Sequence, residues 1–177
     1  MAVSFALGLL ILRLVAGLTI AAHGVQKLFG WFEGPGIDKL AKGFQAQGFK
    51  PTLLWVALVI LGEFGGGLSV ALGFLTPLGA AGMFGAMFMA VFKSHWKNGF
   101  FNNKRGLEFP LSLLTMAVAI GLIGPGSYSL DALISIALPQ PWLFLVLAVA
   151  ALLIDIIGIV ISRPATTAPA EVKASAS

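Results

Sequence analysis

A long apolar run near the start of the chain, residues 7–31, carries charge where a membrane-spanning helix tolerates it least. Arg13 lies well inside the run, and His23 and Lys27 lie near its far end. A cation at the centre of a spanning helix costs roughly 2.5–3.5 kcal/mol on insertion scales. Such a residue therefore requires a polar interior or an acidic partner within a helical bundle.

The composition places the chain in a membrane. Of its 177 residues, 58% are hydrophobic and 10% are charged, with a mean hydropathy of +0.97, whereas soluble domains are about a quarter charged. Basic residues of membrane proteins mark cytoplasmic loops, so the net charge of +4 gives no indication of nucleic-acid binding, and none is expected. The absence of cysteine excludes iron–sulfur ligation and covalent haem attachment by this chain.

Hydrophobic runs predict five spans in an all-α membrane protein. They cover approximately residues 3–29, 52–74, 77–92, 108–123 and 142–162. Residues 37–44 have the i, i+3, i+4, i+7 apolar spacing of a short amphipathic helix in the headgroup region. Small residues recur every three or four positions in the second and third spans, which is the pattern that lets helices approach closely in lipid. A helical segment capped by Ser127 or Ser129 is expected to reach residue 138.

Lysine and arginine outside the spans all fall on one side of a five-span arrangement. The other side comprises the N-terminus and the connections at residues 76–77 and 124–141, which have neither residue. This asymmetry predicts the N-terminus outside and the C-terminus in the cytoplasm. The low-complexity residues 164–177 are predicted to form a disordered cytoplasmic tail.

Glu63 stands among glycines in the second span, roughly 15 Å deep by helix rise. Because the antiparallel first span places Arg13 at a similar depth, we expect these two side chains to form a buried ion pair. The pair either fixes helix register or handles a proton or an anion. Asp155, inside the fifth span, either pairs with Lys93 or reaches the interface.

A second polar group gathers near the cytoplasmic interface. Its predicted ligand-binding members are His23, Lys27, Glu63, Lys93, His95 and Glu108. In one interpretation histidine and lysine donate to a quinone carbonyl, while Glu108 and His23 act as the catalytic groups that exchange the accompanying proton. In the other, Lys27 and Lys93 extend to the lipid headgroups and His23 bonds a backbone carbonyl.

The two histidines of the chain are not expected to hold a haem together. Helix rise places His23 ~9 Å inside the membrane boundary and His95 at or beyond it. No tight spacing such as HxxxH is present, so no metal site is expected either.

Several segments together resemble the DoxX family of bacterial membrane proteins. They are LRLVAGLTIAAHGVQKLFG, GEFGGGLSVALGFLTPLGA, residues 93–96, Glu108 at the start of the fourth span, and GPGSYSLD after it. The resemblance covers roughly residues 5–131. It implies a four-helix bundle in the bacterial inner membrane, here residues 1–138, to which residues 139–163 add a fifth helix. It also implies a subunit linked to an oxidoreductase or to quinone.

The favoured function is a membrane subunit of an oxidoreductase system that contacts the quinone pool and a soluble or peripheral redox partner. The missing cysteines and haem ligands disfavour a self-contained redox enzyme. One alternative is a non-catalytic scaffold that docks cytoplasmic enzymes through the basic loops at residues 31–51 and 93–107. Another is a small-solute transporter that uses Arg13 and Glu63 as its binding pair.

Overall fold

The computed structural model describes residues 2–162, which form a bundle of helices. The helices are α1 (Ala2–Phe29), α2 (Gly36–Ala46), α3 (Thr52–Leu72), α4 (Thr76–Asn98), α5 (Glu108–Ile123), α6 (Leu130–Leu133) and α7 (Trp142–Ile161). Helices α1, α3, α4 and α7 are long and apolar enough to cross a membrane, and α5 is a shorter apolar helix. The predicted all-α bundle with an added C-terminal helix is confirmed. The predicted tail at residues 164–177 lies outside the described residues.

Helix α4 is central, because α3, α5 and α7 all pack against it, while α1 packs mainly against α3. The close contacts are made where both helices present small residues. A Cβ atom added to Gly17 of α1 would lie 2.5 Å from the backbone nitrogen of Ala71, and one added to Gly66 would lie 2.8 Å from the carbonyl oxygen of Gly79. The predicted role of the small residues in close packing is therefore confirmed.

Helices α3 and α4 each contain one wide π-helical turn. In α3 the turn is Leu61–Gly65, which contains Glu63. In α4 it is Ala90–His95. A π turn bonds residue i to i+5 and accommodates one residue more than an α turn, and it occurs frequently at functional sites. The hydrophobic pattern predicted a spanning helix over each segment and gave no indication of the wide turns.

The two ends of the bundle differ in how the chain is connected. We call the end formed by residues 30–51 and 99–107 the loop end, and the end formed by residues 73–75 and 124–141 the turn end. At the loop end α2 is the predicted amphipathic helix, and its buried Phe44 packs edge-to-face on Phe49 with ring centroids 5.1 Å apart.

At the turn end α6 is a single turn, so the prediction that helix continues to residue 138 is wrong. The hydroxyl of Ser129 caps it by accepting from the backbone N–H of Ala132 at 3.1 Å. The helix ends because Ser135 takes a positive φ of 57°. The N–H of Ile136 then turns back to the carbonyl of Asp131 at 2.8 Å.

Candidate functional site

Arg13 is buried at the turn end and is 1% exposed. Its guanidinium donates to the carbonyl oxygen of Val70 at 3.2 Å, to that of Tyr128 at 2.7 Å, and to that of Pro125. Backbone carbonyls of α3 and of the connection that precedes α6 therefore surround this cation.

The expected ion pair between Arg13 and Glu63 is wrong, because the two residues lie at different levels. Gly17 of α1 faces Ala71, and Gly24 faces Phe64. In this antiparallel register Arg13 lies beyond the end of α3, since α1 extends past that end. Counting depth from the ends of two helices of unequal length had placed them at the same level.

The acidic residue close to Arg13 is Asp131 at the start of α6. One of its carboxylate oxygens accepts from the backbone N–H of Leu75 at 2.8 Å. The other accepts from the backbone N–H of Thr76 at 3.1 Å and from its hydroxyl at 3.0 Å. Asp131 thus holds the connection between α3 and α4 against α6.

Glu63 forms a salt bridge with Lys27 of α1 through its Oε1 atom. Glu63 is 1% exposed, and its second oxygen, Oε2, is buried without a hydrogen-bond partner among residues 2–162. The side chain of Lys27 is 26% exposed, so the cation has access to water or lipid headgroups that the carboxylate lacks.

Two cavities lie beside this ion pair, and both are lined by Lys27 and Glu63. The larger measures about 380 Å³ and is lined by Ile20, His23, Lys27, Glu63, Met87, Ala90, His95, Asn102, Phe109 and Pro110. The smaller measures about 240 Å³ and extends under α2, where Lys39 and Lys93 join its wall. The ion pair therefore borders both cavities: the larger is also lined by two histidines, and the smaller by Lys39 and Lys93.

Both His23 and His95 line the larger cavity, although helix rise had placed them at different depths. The Nδ1 atom of His95 lies 2.7 Å from the carbonyl oxygen of Arg105, and because a carbonyl oxygen can only accept, this nitrogen carries a proton. The ring of His23 packs edge-on against Phe109 with centroids 5.3 Å apart. Residues 2–162 contain no group of three or more His, Asp or Glu side chains arranged to hold a metal ion.

Two of the predicted site residues stand beside the larger cavity instead of lining it. Glu108 accepts from the backbone N–H of Asn102 at 3.0 Å and so holds the connection between α4 and α5. Lys93 lies 4.8 Å from the centroid of the Phe49 ring and donates to Ser162 at 2.8 Å. The carboxylate on the cavity wall is Glu63, which sequence reasoning had paired with Arg13.

Comparisons with known proteins identify the chain's relatives. Residues 8–96 match the protein-family model described as DoxX. The chain is 29% identical over 130 residues to the inner membrane protein YqjF of Escherichia coli (strain K12), a match that covers 72% of this chain and 92% of that protein. No solved structure matches.

Proposed function

The chain belongs to the DoxX family of multi-pass inner membrane proteins, and we propose that it is the quinone-binding membrane subunit of an oxidoreductase system. The observation that supports this best is the larger cavity at the loop end. Its volume of about 380 Å³ is within the range typical of small-molecule sites. A buried carboxylate with one free oxygen faces a lysine there, beside two histidines.

The chemistry of these side chains suits a ligand with carbonyl oxygens. Lys27 is a donor, and His23 is a donor in its protonated form or in one neutral tautomer. Glu63 places a carboxylate inside the bundle, with one oxygen bonded to Lys27 and the other without a partner among residues 2–162. A quinone would supply the acceptor for two electrons and two protons, and these residues would orient it and deliver protons.

The position of Glu63 on a π turn supports the same assignment. The wide turn Leu61–Gly65 interrupts the regular hydrogen bonding of α3, and such turns occur frequently at functional sites. The π turn in α4 ends at His95, on the wall of the same cavity. Glu63 takes the proton-exchanging role in this proposal, and Glu108 stabilises the loop beside the cavity.

The test is equilibrium binding of decylubiquinone to the purified full-length protein in lipid nanodiscs. Replacing Glu63 by Gln or His23 by Ala should weaken binding at least about tenfold, since each removes a charged or polar contact in a buried site. The matched control is Glu33→Gln, which changes an exposed carboxylate at the same end of the bundle and should leave binding unchanged. Wild-type protein that fails to bind, or variants that bind equally well, would refute the proposal.

Electrons are proposed to come from a partner, since the chain has no cysteine to ligate an iron–sulfur cluster. We place the loop end in the cytoplasm on the basis of its lysines and arginines. Lys97, Lys104 and Arg105 are exposed close to the larger cavity, where they suit an acidic partner surface.

Reversing these three charges tests the docking of a partner. Cross-linking mass spectrometry in native membranes should identify a flavin- or metal-containing protein attached to the loop end, and the triple Glu variant should lose it. The scaffold alternative predicts the same loss without any binding of decylubiquinone. The transporter alternative depended on contact between Arg13 and Glu63, and that contact is absent from residues 2–162.

A further inference from the structure

A long apolar groove runs along the side of the bundle between α3, α4 and α7, and its volume is about 630 Å³. It extends from Trp55 near the loop end to Leu75 at the turn end. At 1.5 Å per residue the helical part of this wall, from Trp55 to Leu72, is about 26 Å long, which is close to the thickness of the hydrocarbon core of a bilayer. Gly65 borders open space in the groove, because a Cβ atom added there would meet nothing within 4 Å.

Two buried polar atoms without partners lie at the loop end of this groove. Asp155 of α7 is 7% exposed, and its Oδ2 atom has no hydrogen-bond partner among residues 2–162. This oxygen lies 3.6 Å from the position that a Cβ atom of Gly85 would occupy, so it lies against α4 on the wall of the groove. The indole nitrogen of Trp55 is also buried and unpartnered.

Both residues belong to the same part of the groove. The ring of Trp55 packs onto Gly158, which follows Asp155 by one helical turn on α7. Asp155 and Trp55 both line the groove and neither lines the two cavities beside Lys27. This pair of polar atoms is therefore separate from the proposed quinone site.

Unsatisfied buried polar groups are costly, and in lipid no water is available to satisfy them. An indole N–H can only donate, and an ionised carboxylate can only accept. An ammonium group would leave the indole unsatisfied, while an ester or a ketone would bring no donor to an ionised carboxylate. A hydroxyl group both donates and accepts, so it can satisfy the two atoms together whether the carboxyl group is ionised or protonated.

We infer that the groove binds a single-chain lipid whose isoprenoid or alkyl chain ends in a hydroxyl group. The chain lies along the apolar wall toward the turn end. The hydroxyl accepts a hydrogen bond from Trp55 Nε1 and donates one to Asp155 Oδ2. This assigns α7 a function, because α7 supplies the carboxylate.

The test is binding of tritiated geranylgeraniol to the full-length protein in nanodiscs, with geranylgeranyl methyl ether and the corresponding hydrocarbon as competitors. Unlabelled geranylgeraniol should compete at least about tenfold better than either, since the ether can accept but cannot donate and the hydrocarbon can neither donate nor accept. Asp155→Leu and Trp55→Phe should each reduce binding of the alcohol to the level of the ether. Gly65→Leu should abolish binding by filling the groove, whereas Gly8→Leu, in open space on α1, should not.

Folding and function are distinguished by two further measurements. Asp155→Leu removes an unpartnered buried carboxylate, so its thermal midpoint should stay equal or rise while binding falls. Decylubiquinone binding should be unchanged in Asp155→Leu, and geranylgeraniol binding should be unchanged in Glu63→Gln. Equal competition by alcohol, ether and hydrocarbon would overturn the inference, because the groove would then hold any acyl chain without recognising a hydroxyl.

Discussion

At the turn end of the bundle Arg13 and Asp131 are almost fully buried; backbone carbonyl groups accept from Arg13, and backbone N–H groups of other residues donate to Asp131. At the loop end Glu63 is equally buried. It bonds to Lys27 alone among residues 2–162, and one of its oxygens stays free beside open volume. The two ends thus bury charge to the same degree. The buried charges at the turn end each have several hydrogen-bond partners, whereas Glu63 at the loop end has one among residues 2–162.

This difference separates a structural cluster from a candidate binding site. A saturated polar network fixes one arrangement of the chain, because any movement breaks several bonds at once. An unsaturated one leaves bonding capacity for a ligand and costs stability until the ligand arrives. None of the three cavities described above is lined by Arg13 or Asp131. Stability should therefore depend on the turn end and ligand binding on the loop end.

Removing the guanidinium should have the largest effect on stability. Arg13→Leu removes the side-chain donor to the carbonyl oxygens of Pro125 and Tyr128 and leaves the buried Asp131 without a nearby cation, so we expect the free energy of unfolding to fall by about 3 kcal/mol. Reversible unfolding in mixed dodecylmaltoside and SDS micelles measures it. Arg13→Lys keeps the charge and loses the forked geometry, so its free energy of unfolding should lie between those of the wild type and Arg13→Leu. An Arg13→Leu protein as stable as wild type would contradict the assignment.

Asp131→Asn should have the next largest effect. The amide presents an NH₂ group toward N–H donors that the carboxylate now accepts from, so we expect a loss of about 2 kcal/mol. The same unfolding measurement applies. Asp38→Asn, which changes an exposed acid on α2, serves as the control and should change stability little.

Ser129→Ala removes the hydroxyl that caps α6 and should cost about 1 kcal/mol. Ser127, the other cap candidate from the sequence, is exposed, and Ser127→Ala should have no measurable effect. If the two variants were equally stable, α6 would not need its cap.

Glu63→Gln should change stability least, by about 1 kcal/mol or less, because Oε2 has no bond to lose and Lys27 reaches the surface. Its effect appears instead in binding of decylubiquinone. If Glu63→Gln destabilised the protein as much as Asp131→Asn, the loop-end pair would be structural and the contrast between the two ends would fail.

Much of the fold could be predicted because hydrophobic runs and small-residue spacing report directly on helices in lipid. The spans, the amphipathic helix α2 and the close packing at Gly66 all follow from patterns within one segment. The burial of Arg13 also followed, since the cost of charge in hydrocarbon depends on the residue itself.

The partners of these charges could not be predicted in the same way, because they depend on how far one helix extends past another. Arg13 meets Pro125 and Tyr128, which lie more than a hundred residues away along the chain, and no periodicity reports that contact. The π turns were missed for a related reason. Apart from Glu63, Leu61–Gly65 has the apolar and small residues of an ordinary turn in a spanning helix, so composition does not distinguish a π turn from an α turn.

The π turn at Leu61–Gly65 has an evolutionary consequence. It holds one residue more than an α turn, so deleting a single residue there would restore a regular helix, keep both halves of α3 in register and redirect the side chains of the turn itself. Such a lineage would keep its helices and its insertion into the bilayer while Glu63 turned away from Lys27. Among descendants of a common ancestor, the length of this segment would then distinguish proteins that retain the ligand from those that have lost it.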